Sequence, residues 1–314
     1  MKLKKPRFWD YKKANIFAYL LWPLSTVVGI ITRLKIKKKT KNDKIKTICI
    51  GNIYVGGTGK TSLSIKVKDI LDTKDLKVCF IKKYHPNQID EQKLLSNYGK
   101  LFISTKRQEA LNQAIKENYN VAIFDDGLQD SSIKFNLEFV CFNNLNWIGN
   151  GMIIPSGPLR ESISNLRFYK NVFLNGNEEN LVNIKDEIKK INPQININNG
   201  RYVPLNIKSF DRNHSYLVFS GIGNHNTFIN MLKNYDLKIV EDLEYPDHYQ
   251  YTKKDLDQII NKARKYNAKI LTTEKDYLRL DFFDKTEILF VKSSLEILDE
   301  KNLIKILMSL NEKD

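Results

Sequence analysis

Residues 51–61 of the chain carry the side chains best suited to bind a phosphate group. They read Gly-Asn-Ile-Tyr-Val-Gly-Gly-Thr-Gly-Lys-Thr and follow a short apolar run. Small residues let backbone N–H groups close around phosphate oxygens, Lys60 adds a positive charge, and the hydroxyl of Thr61 can bind Mg²⁺. The predicted nucleotide-binding residues are Gly56, Gly57, Thr58, Gly59, Lys60 and Thr61.

One residue departs from the usual phosphate-loop pattern, Gly-x4-Gly-Lys-Ser/Thr. That pattern requires glycine at position 54, where this chain has Tyr54. The alternative is a strand–turn–helix connection that binds nothing. Three glycines followed by Lys-Thr favour the phosphate loop, so the sequence predicts a nucleoside triphosphate as substrate.

A second acidic site is predicted where the apolar run Val-Ala-Ile-Phe ends in Asp125 and Asp126. A buried strand of this kind delivers carboxylates to its end, where they can hold Mg²⁺ directly or through water. An ordinary strand-to-turn Asp-Gly is the alternative. The position downstream of a phosphate loop favours the metal site.

Asp90 and Glu91 are candidates for a general base and a metal ligand, because they follow a basic loop. Sequence alone favours the alternative that Asp90 caps a helix. His248 lies in a predicted turn and could orient a carboxylate base, although a lone loop histidine is more often solvated. Arg160 and Glu161 end the loop that begins Pro-Ser-Gly-Pro at position 155, and arginine suits bidentate phosphate contact; a surface turn with an ion pair is the alternative.

The segment 252–255, Thr-Lys-Lys-Asp, fits the guanine-recognition pattern of GTPases. It also fits a capping box, with threonine as N-cap and an acid three residues later at the start of a helical pattern. We prefer the cap.

These residues must be positioned by elements that alternate along the chain. Apolar strand-like runs and helical patterns follow one another from Ile45 to Phe142 and again from Tyr216 to Ser309. This order predicts an α/β fold: a P-loop kinase-like parallel sheet with helices on both faces, plus a second, smaller α/β lobe. The predicted domains are 1–45, 46–205 and 206–314. The last helix could pack back on the first lobe.

The chain of 314 residues has a formal net charge of +15, and much of it lies in the first fifty residues. Two basic clusters flank an uncharged stretch, 16–31, which carries Trp22 and is interrupted by Pro23. We predict a helix lying in the interface of an anionic membrane, where each nearby Lys or Arg contributes about 1 kcal/mol. A short transmembrane span and a buried core helix are the alternatives. Nucleic-acid binding is disfavoured, because no aromatic residues alternate with arginine as stacking platforms.

Taken in order, these clusters closely resemble the tetraacyldisaccharide 4′-kinases of lipid A synthesis. The family pattern Gly-Asn-x3-Gly-Gly-Thr-Gly-Lys-Thr matches residues 51–61 and includes a residue other than glycine at position 54. Gly-Asn-Gly-x3-Pro-x-Gly-Pro-Leu-Arg-Glu matches 149–161. Further elements match Asp90-Glu91, 125–129, 220–222, 246–248 and 273–276, so the resemblance covers nearly the whole chain.

The resemblance implies transfer of the γ-phosphate of ATP, with Mg²⁺, to the 4′-hydroxyl of a tetraacyldisaccharide 1-phosphate, giving lipid IVA. It implies Asp90 as general base with His248 as its partner. It implies Glu91 and Asp125 as magnesium ligands with Asp126 close by, and Arg160 and Glu161 as site residues. The implied location is the cytoplasmic face of the inner membrane.

The chain departs from the family between the second strand and Asp90. The family's Ser-Arg-Gly-Tyr reads Lys82-Lys83-Tyr84, the glycine before Asp90 is Ile89, and the histidine after Gln129 is Asp130. Two other classes remain open: a membrane-associated P-loop GTPase or ATPase with a regulatory role, and a basic membrane- or nucleic-acid-binding protein with a relic loop.

Overall fold

The computed structural model describes residues 5–35, 40–41, 44–176 and 181–311. Much of the predicted basic linker near 34–46 lies outside the described residues. The helices are α1 (Ile16–Lys35), α2 (Lys60–Asp72), α3 (Ile89–Tyr98), α4 (Arg107–Lys116), α5 (Leu181–Ile191), α6 (His225–Lys233), α7 (Lys253–Lys265), α8 (Glu274–Tyr277) and α9 (Glu300–Met308).

The strands are β1 (Thr40–Lys41), β2 (Lys46–Gly51), β3 (Val78–Lys83), β4 (Leu101–Ser104), β5 (Val121–Asp125), β6 (Ile133–Lys134), β7 (Leu137–Asn143), β8 (Asn171–Asn175), β9 (Asn196–Pro204), β10 (Ser215–Ser220), β11 (Lys238–Glu244), β12 (Ala268–Thr273), β13 (Ile288–Val291) and β14 (Ser293–Ile297). The described chain forms two compact units.

The first unit is built on a large sheet with strand order β14-β9-β8-β7-β2-β5-β3-β4, and the unit boundaries fall within β9 and β14. The pairs that involve β2, β3, β5, β7 and β8 are parallel. The central strands β2 and β5 are buried along nearly their whole length, with Ile50 opposite Asp125. Because parallel strands end at one edge, β2 and β5 deliver the glycine-rich loop and the acidic pair to the same edge. The predicted α/β fold is confirmed.

The second unit is a four-stranded parallel sheet with order β11-β10-β12-β13. Apolar side chains pack against both faces. Phe228 and Leu232 of α6 belong to one buried cluster, and Leu256 and Ile259 of α7 belong to the other.

The compact units differ from the predicted continuous domains. Residues 85–97, which include α3 except Tyr98, belong to the second unit together with 202–296, whereas 297–311, with the last helix that could pack back on the first lobe, belong to the first. The segment before the predicted boundary at 205 contains α5 and β9. The difference arises because local patterns show where a helix forms but not which sheet it packs on.

Helix α1 presents an apolar surface to the outside of the first unit. Ile16, Leu20, Trp22 and Leu24 are each more than half exposed. On the other side, Ser25 is buried and donates a hydrogen bond to the carbonyl of Ile153. The alternative of a buried core helix is therefore wrong. No helix within the described ranges is both long and apolar enough to cross a membrane.

Candidate active site

The glycine-rich loop leads directly from β2 into the N-terminus of α2. Gly59 is the residue before α2 and has a φ of 87°, in the left-handed region that favours glycine. Gly56 also has a positive φ, of 140°. Lys60 and Thr61 therefore stand in the first turn of α2, where unpaired backbone N–H groups and the helix dipole favour an anion.

Side chains outside the glycines hold the loop in shape. Nδ2 of the buried Asn52 donates to the carbonyl of Gly56, at 3.3 Å, and to Oγ1 of Thr58, at 3.0 Å. The ring of Tyr54 is buried, and its hydroxyl donates to Oδ1 of Asp10, at 2.7 Å. Tyr54 thus ties the phosphate loop to the N-terminal segment, which gives a physical role to the non-glycine residue at this position.

Asp125 lies fully buried at the end of β5 and contacts the start of α2. Oδ2 of Asp125 accepts from Oγ1 of Thr61, at 3.3 Å, and from Nζ of Lys82, at 2.5 Å. Its other oxygen, Oδ1, has no hydrogen-bond partner among the described residues. A buried carboxylate oxygen without a partner is costly unless a ligand satisfies it.

Asp126 is held by Arg160 in a bidentate ion pair. NH1 of Arg160 donates to Oδ1, at 2.7 Å, and NH2 donates to Oδ2, at 3.3 Å. Burial raises the pKa of Asp126, but the positive charges of Lys60 and Arg160 outweigh burial and hold the pKa well below its usual range. Asp126 also has a φ of 59°, a conformation that costs energy in residues other than glycine.

Glu161 is buried and accepts hydrogen bonds from three neutral side chains. Nδ2 of Asn165 lies 2.9 Å from Oε2, and the hydroxyl of Tyr169 lies 3.1 Å from Oε1. Nε2 of Gln129 is at 3.4 Å from Oε1. The side chain of Arg160, by contrast, faces Asp126 and Gln129. The surface ion pair considered for Arg160 and Glu161 is therefore wrong.

In the second unit, the structure brings Asp90 and His248 together. Nδ1 of His248 lies 3.0 Å from Oδ1 and 3.2 Å from Oδ2 of Asp90. Asp90 stands in the first turn of α3, and its carboxylate is only 6% exposed. His248 has a φ of 57°, and its backbone N–H donates to the carbonyl of Gly221. The predicted pairing of these two residues is thus present as a contact.

Arg279 and Lys275, two cations to which the sequence analysis gave no role, also contact Asp90. NH2 of Arg279 donates to Oδ2 of Asp90, at 2.6 Å, and Nζ of Lys275 lies 3.5 Å from the same oxygen. Burial raises the pKa of Asp90, but the hydrogen bond from His248 and the charges of Lys275 and Arg279 outweigh it and hold the pKa far below its usual range. Asp90 is therefore ionised at neutral pH.

Arg279 is itself fixed by Asp276. NH1 of Arg279 donates to Oδ1 of Asp276 and to the carbonyl of Gly221, both at 2.6 Å. The hydroxyl of Tyr251 and the N–H of Gly221 donate to the same carboxylate oxygen. The segment 273–276 carried the only sequence signal for this group, since nothing marked Arg279 itself.

Glu91 lies beside Asp90 and contacts Lys275 at 2.8 Å through Oε1, with Nε2 of His248 at 3.7 Å. Burial lowers the pKa of Lys275, but the carboxylates of Glu91, Asp247 and Asp90 outweigh burial and raise it above its usual range. Lys275 is therefore a permanent cation between two acidic side chains.

Segment 252–255 forms the capping box rather than a base-recognition surface. Oγ1 of Thr252 accepts from the N–H of Asp255, at 3.2 Å, and the carboxylate of Asp255 accepts from the N–H of Thr252, at 2.8 Å. The preferred interpretation, a helix cap, is confirmed by these contacts.

The residues at the loop fit a magnesium ion bound together with phosphates. Thr61 supplies a hydroxyl, and Asp125 supplies an oxygen without a partner. Within the described ranges, no three His, Cys, Asp or Glu side chains gather into a cage for a metal. Mg²⁺ commonly uses one or two carboxylates plus substrate phosphates and water, so a full cage is not required.

The central strands of the parallel sheet deliver a glycine-rich loop and an acidic residue to the same edge. This arrangement defines an α/β protein of the phosphate-loop class. The family model described as tetraacyldisaccharide-1-P 4′-kinase matches residues 17–312. The chain belongs to this family, and the resemblance predicted from the motifs is confirmed.

Individual relatives support the same family assignment. The chain is 67% identical to the tetraacyldisaccharide 4′-kinase of Pelagibacter ubique (strain HTCC1062) over the full length of both. It is 34% identical to the enzyme of that name from Rickettsia canadensis (strain McKiel), over 89% of each chain. A solved LpxK from Aquifex aeolicus, in complex with ATP, superposes with a TM-score of 0.68 at 20% identity and covers 94% of this chain and 99% of its own. That likeness concerns the fold.

Proposed function

We propose that this chain transfers the γ-phosphate of ATP to the 4′-hydroxyl of tetraacyldisaccharide 1-phosphate, forming lipid IVA. The observation that carries the proposal is the full-length likeness to a relative named for this activity, at 67% identity. The contact between Thr61 and Asp125 at the glycine-rich loop supports it, because these side chains are suited to a metal-bound triphosphate.

At the phosphate loop, Lys60 and the amides of Gly56, Gly57, Thr58 and Gly59 bind the phosphates of ATP and offset the charge that develops during transfer. Thr61 and Asp125 would hold Mg²⁺, which would supply charge neutralisation on the phosphates. Asp126 and Glu91 are further ligands predicted from the family resemblance; Asp126 pairs with Arg160, and Glu91 pairs with Lys275.

On the acceptor side, Asp90 takes the proton of the sugar hydroxyl and His248 orients its carboxylate. Phosphoryl transfer depends mainly on positioning and charge stabilisation, so a base of low pKa suffices where the proton leaves late. Arg160 contacts phosphate oxygens, and Glu161 holds the loop that presents Arg160.

The lipid part of the substrate is accommodated at α1. A groove of about 380 Å³ runs between this helix and the segments 151–153 and 161–165, with Trp22, Ile30 and Ile153 among its lining residues. The exposed apolar side chains of α1 rest in an anionic leaflet at the cytoplasmic face of the inner membrane, with the protein peripheral or monotopic.

The test is transfer of labelled γ-phosphate from ATP to tetraacyldisaccharide 1-phosphate in mixed micelles. Wild type should phosphorylate the lipid, and Lys60→Ala should lose turnover by about a thousandfold or more. Lys74→Ala, an exposed lysine just beyond α2, is the matched control and should retain activity. A GTP preference, or full activity of Lys60→Ala, would overturn the proposal and favour the regulatory GTPase.

A further inference from the structure

Lys82 is a buried lysine that follows four apolar residues of its strand. Residues Val78, Cys79, Phe80 and Ile81 of β3 are all buried hydrophobic residues, and Lys82 follows them with 1% of its surface exposed. Burying an ammonium group costs several kcal/mol unless it is paired and hydrogen-bonded. An apolar residue would fill this position at lower cost, so the charge at position 82 requires a reason.

The partner of Lys82 is Asp125, across the strand pair. Ile81 stands opposite Phe124 in the β3–β5 register, which places Lys82 beside Asp125 at the carboxyl edge of the sheet. Nζ of Lys82 lies 2.5 Å from Oδ2 of Asp125, and the two side chains are 2% and 0% exposed. The ion pair is therefore sealed from solvent, where charges interact far more strongly than at a surface.

The same carboxylate oxygen links the lysine to the phosphate loop. Oδ2 of Asp125 also accepts from Thr61, in the first turn of α2, while Oδ1 has no partner among the described residues. An uncompensated carboxylate beside this turn would repel an incoming triphosphate until a metal ion neutralised it. Lys82 removes that repulsion before any metal is present.

We propose that Lys82 is a positioning residue of the nucleotide site: its ammonium neutralises Asp125 and leaves Oδ1 for the metal, so that nucleoside triphosphate binding depends only weakly on Mg²⁺. The inference rests on the proposed nucleotide binding and deepens it. It also gives a role to the segment 82–84, where the chain departs from the pattern of its family.

The test is equilibrium binding of a fluorescent ATP analogue to the full chain, in EDTA and in Mg²⁺. For wild type, removal of Mg²⁺ should weaken binding by less than about tenfold. For Lys82→Met, it should weaken binding by a further factor of about ten to a hundred, because one charged contact is lost. Lys83→Met is the matched control, since Lys83 is the exposed neighbour on the same strand, and it should behave as wild type.

The ratio of the two affinities separates this role from a structural one, since a merely structural loss would weaken binding equally in both conditions. If Lys82→Met does not fold, Asp125→Asn and the double variant Asp125→Asn/Lys82→Met contain no unpaired buried carboxylate. Because neither variant has a carboxylate for Lys82 to neutralise, in EDTA they should bind the analogue with affinities that differ by less than about threefold.

Binding by the double variant that is about tenfold or more weaker than binding by Asp125→Asn, or a wild-type ratio for Lys82→Met, would overturn the role of Lys82 while leaving the kinase proposal intact. Wild type that binds the analogue in neither condition would overturn both.

Discussion

Nδ1 of His248 lies 3.0 Å from Oδ1 of Asp90, although 158 positions separate the two residues in the chain. Because the low pKa of Asp90 keeps it ionised, its carboxylate can only accept, and Nδ1 of His248 donates. His248 also lies 3.7 Å from Glu91 through Nε2, so one imidazole faces both acidic side chains of α3.

Replacement of His248 should slow turnover with little effect on substrate binding. His248→Asn suits the left-handed backbone at this position but cannot reproduce the imidazole contact. We expect kcat to fall about a hundredfold and KM to change less than about threefold, as for loss of an orienting partner in proton transfer. His214→Asn, at an exposed histidine that contacts Asp211, is the control. Undiminished kcat in His248→Asn would remove this residue from the mechanism.

The pKa of Asp90 should respond to replacement of Arg279. His248, Lys275 and Arg279 hold the pKa of Asp90 in the folded protein below its value in the unfolded chain, which is about 4. The ionised carboxylate therefore stabilises the fold fully above about pH 4. This stabilisation is lost only as the pH falls through the lower, folded-state pKa. Wild type should therefore show no acid limb from Asp90 in the pH dependence of kcat/KM above about pH 4.

Arg279→Met removes one cation, so the pKa of Asp90 rises by about one unit, and the NMR titration profile of its carboxyl group, recorded from acid pH upward, measures this shift. Arg264→Met, which breaks only the exposed pair with Glu287, should leave the profile unchanged. An unshifted profile in Arg279→Met would show that Arg279 does not tune Asp90.

Tyr169 should stabilise the fold through Glu161. Tyr169→Phe removes a hydroxyl that donates to a buried carboxylate, which we expect to cost about 1–3 kcal/mol in the free energy of unfolding. Urea denaturation measures this difference. Tyr266→Phe, at a tyrosine 42% exposed, should cost less than about 0.5 kcal/mol. Equal stability of the two variants would contradict the assigned role of the Tyr169 hydroxyl.

Because Thr252 caps α7, its replacement should change the free energy of unfolding but not the preference between ATP and GTP. Thr252→Ala should lower the free energy of unfolding by about 1 kcal/mol, whereas Thr252→Ser should retain most of it. Competition between ATP and GTP for the wild type and for Thr252→Ala should give the same preference. A changed preference in Thr252→Ala would instead support the guanine-recognition alternative.

The apolar face of α1 should determine binding to anionic vesicles. Leu20→Asp places a charge on a side chain that is 71% exposed, and sedimentation with phosphatidylglycerol vesicles should show affinity weaker by about tenfold or more. Phe282→Asp, at an apolar residue that is 92% exposed in the second unit, is the control and should bind as wild type does. Equal loss in both variants would indicate non-specific charge repulsion.

The sequence by itself determined the features whose physics is local. The strand–glycine–helix pattern of 51–61 predicted a phosphate loop between a strand and a helix, which are β2 and α2, and Thr252 with Asp255 predicted a capping box. Both depend on a few consecutive residues, so their chemistry can be read without knowing the rest of the chain. The alternation of strands and helices predicted the parallel sheet for the same reason.

Only the tertiary structure decided which distant groups meet. Burial of Lys82 against Asp125, the contact of Tyr54 with Asp10, and the placement of Arg279 beside Asp90 each join residues from separate elements. Such contacts follow from how apolar faces pack over the sheets, which no local pattern encodes. The sequence therefore indicated which residues could do the chemistry, whereas packing decided their partners, their burial and the pKa of Asp90.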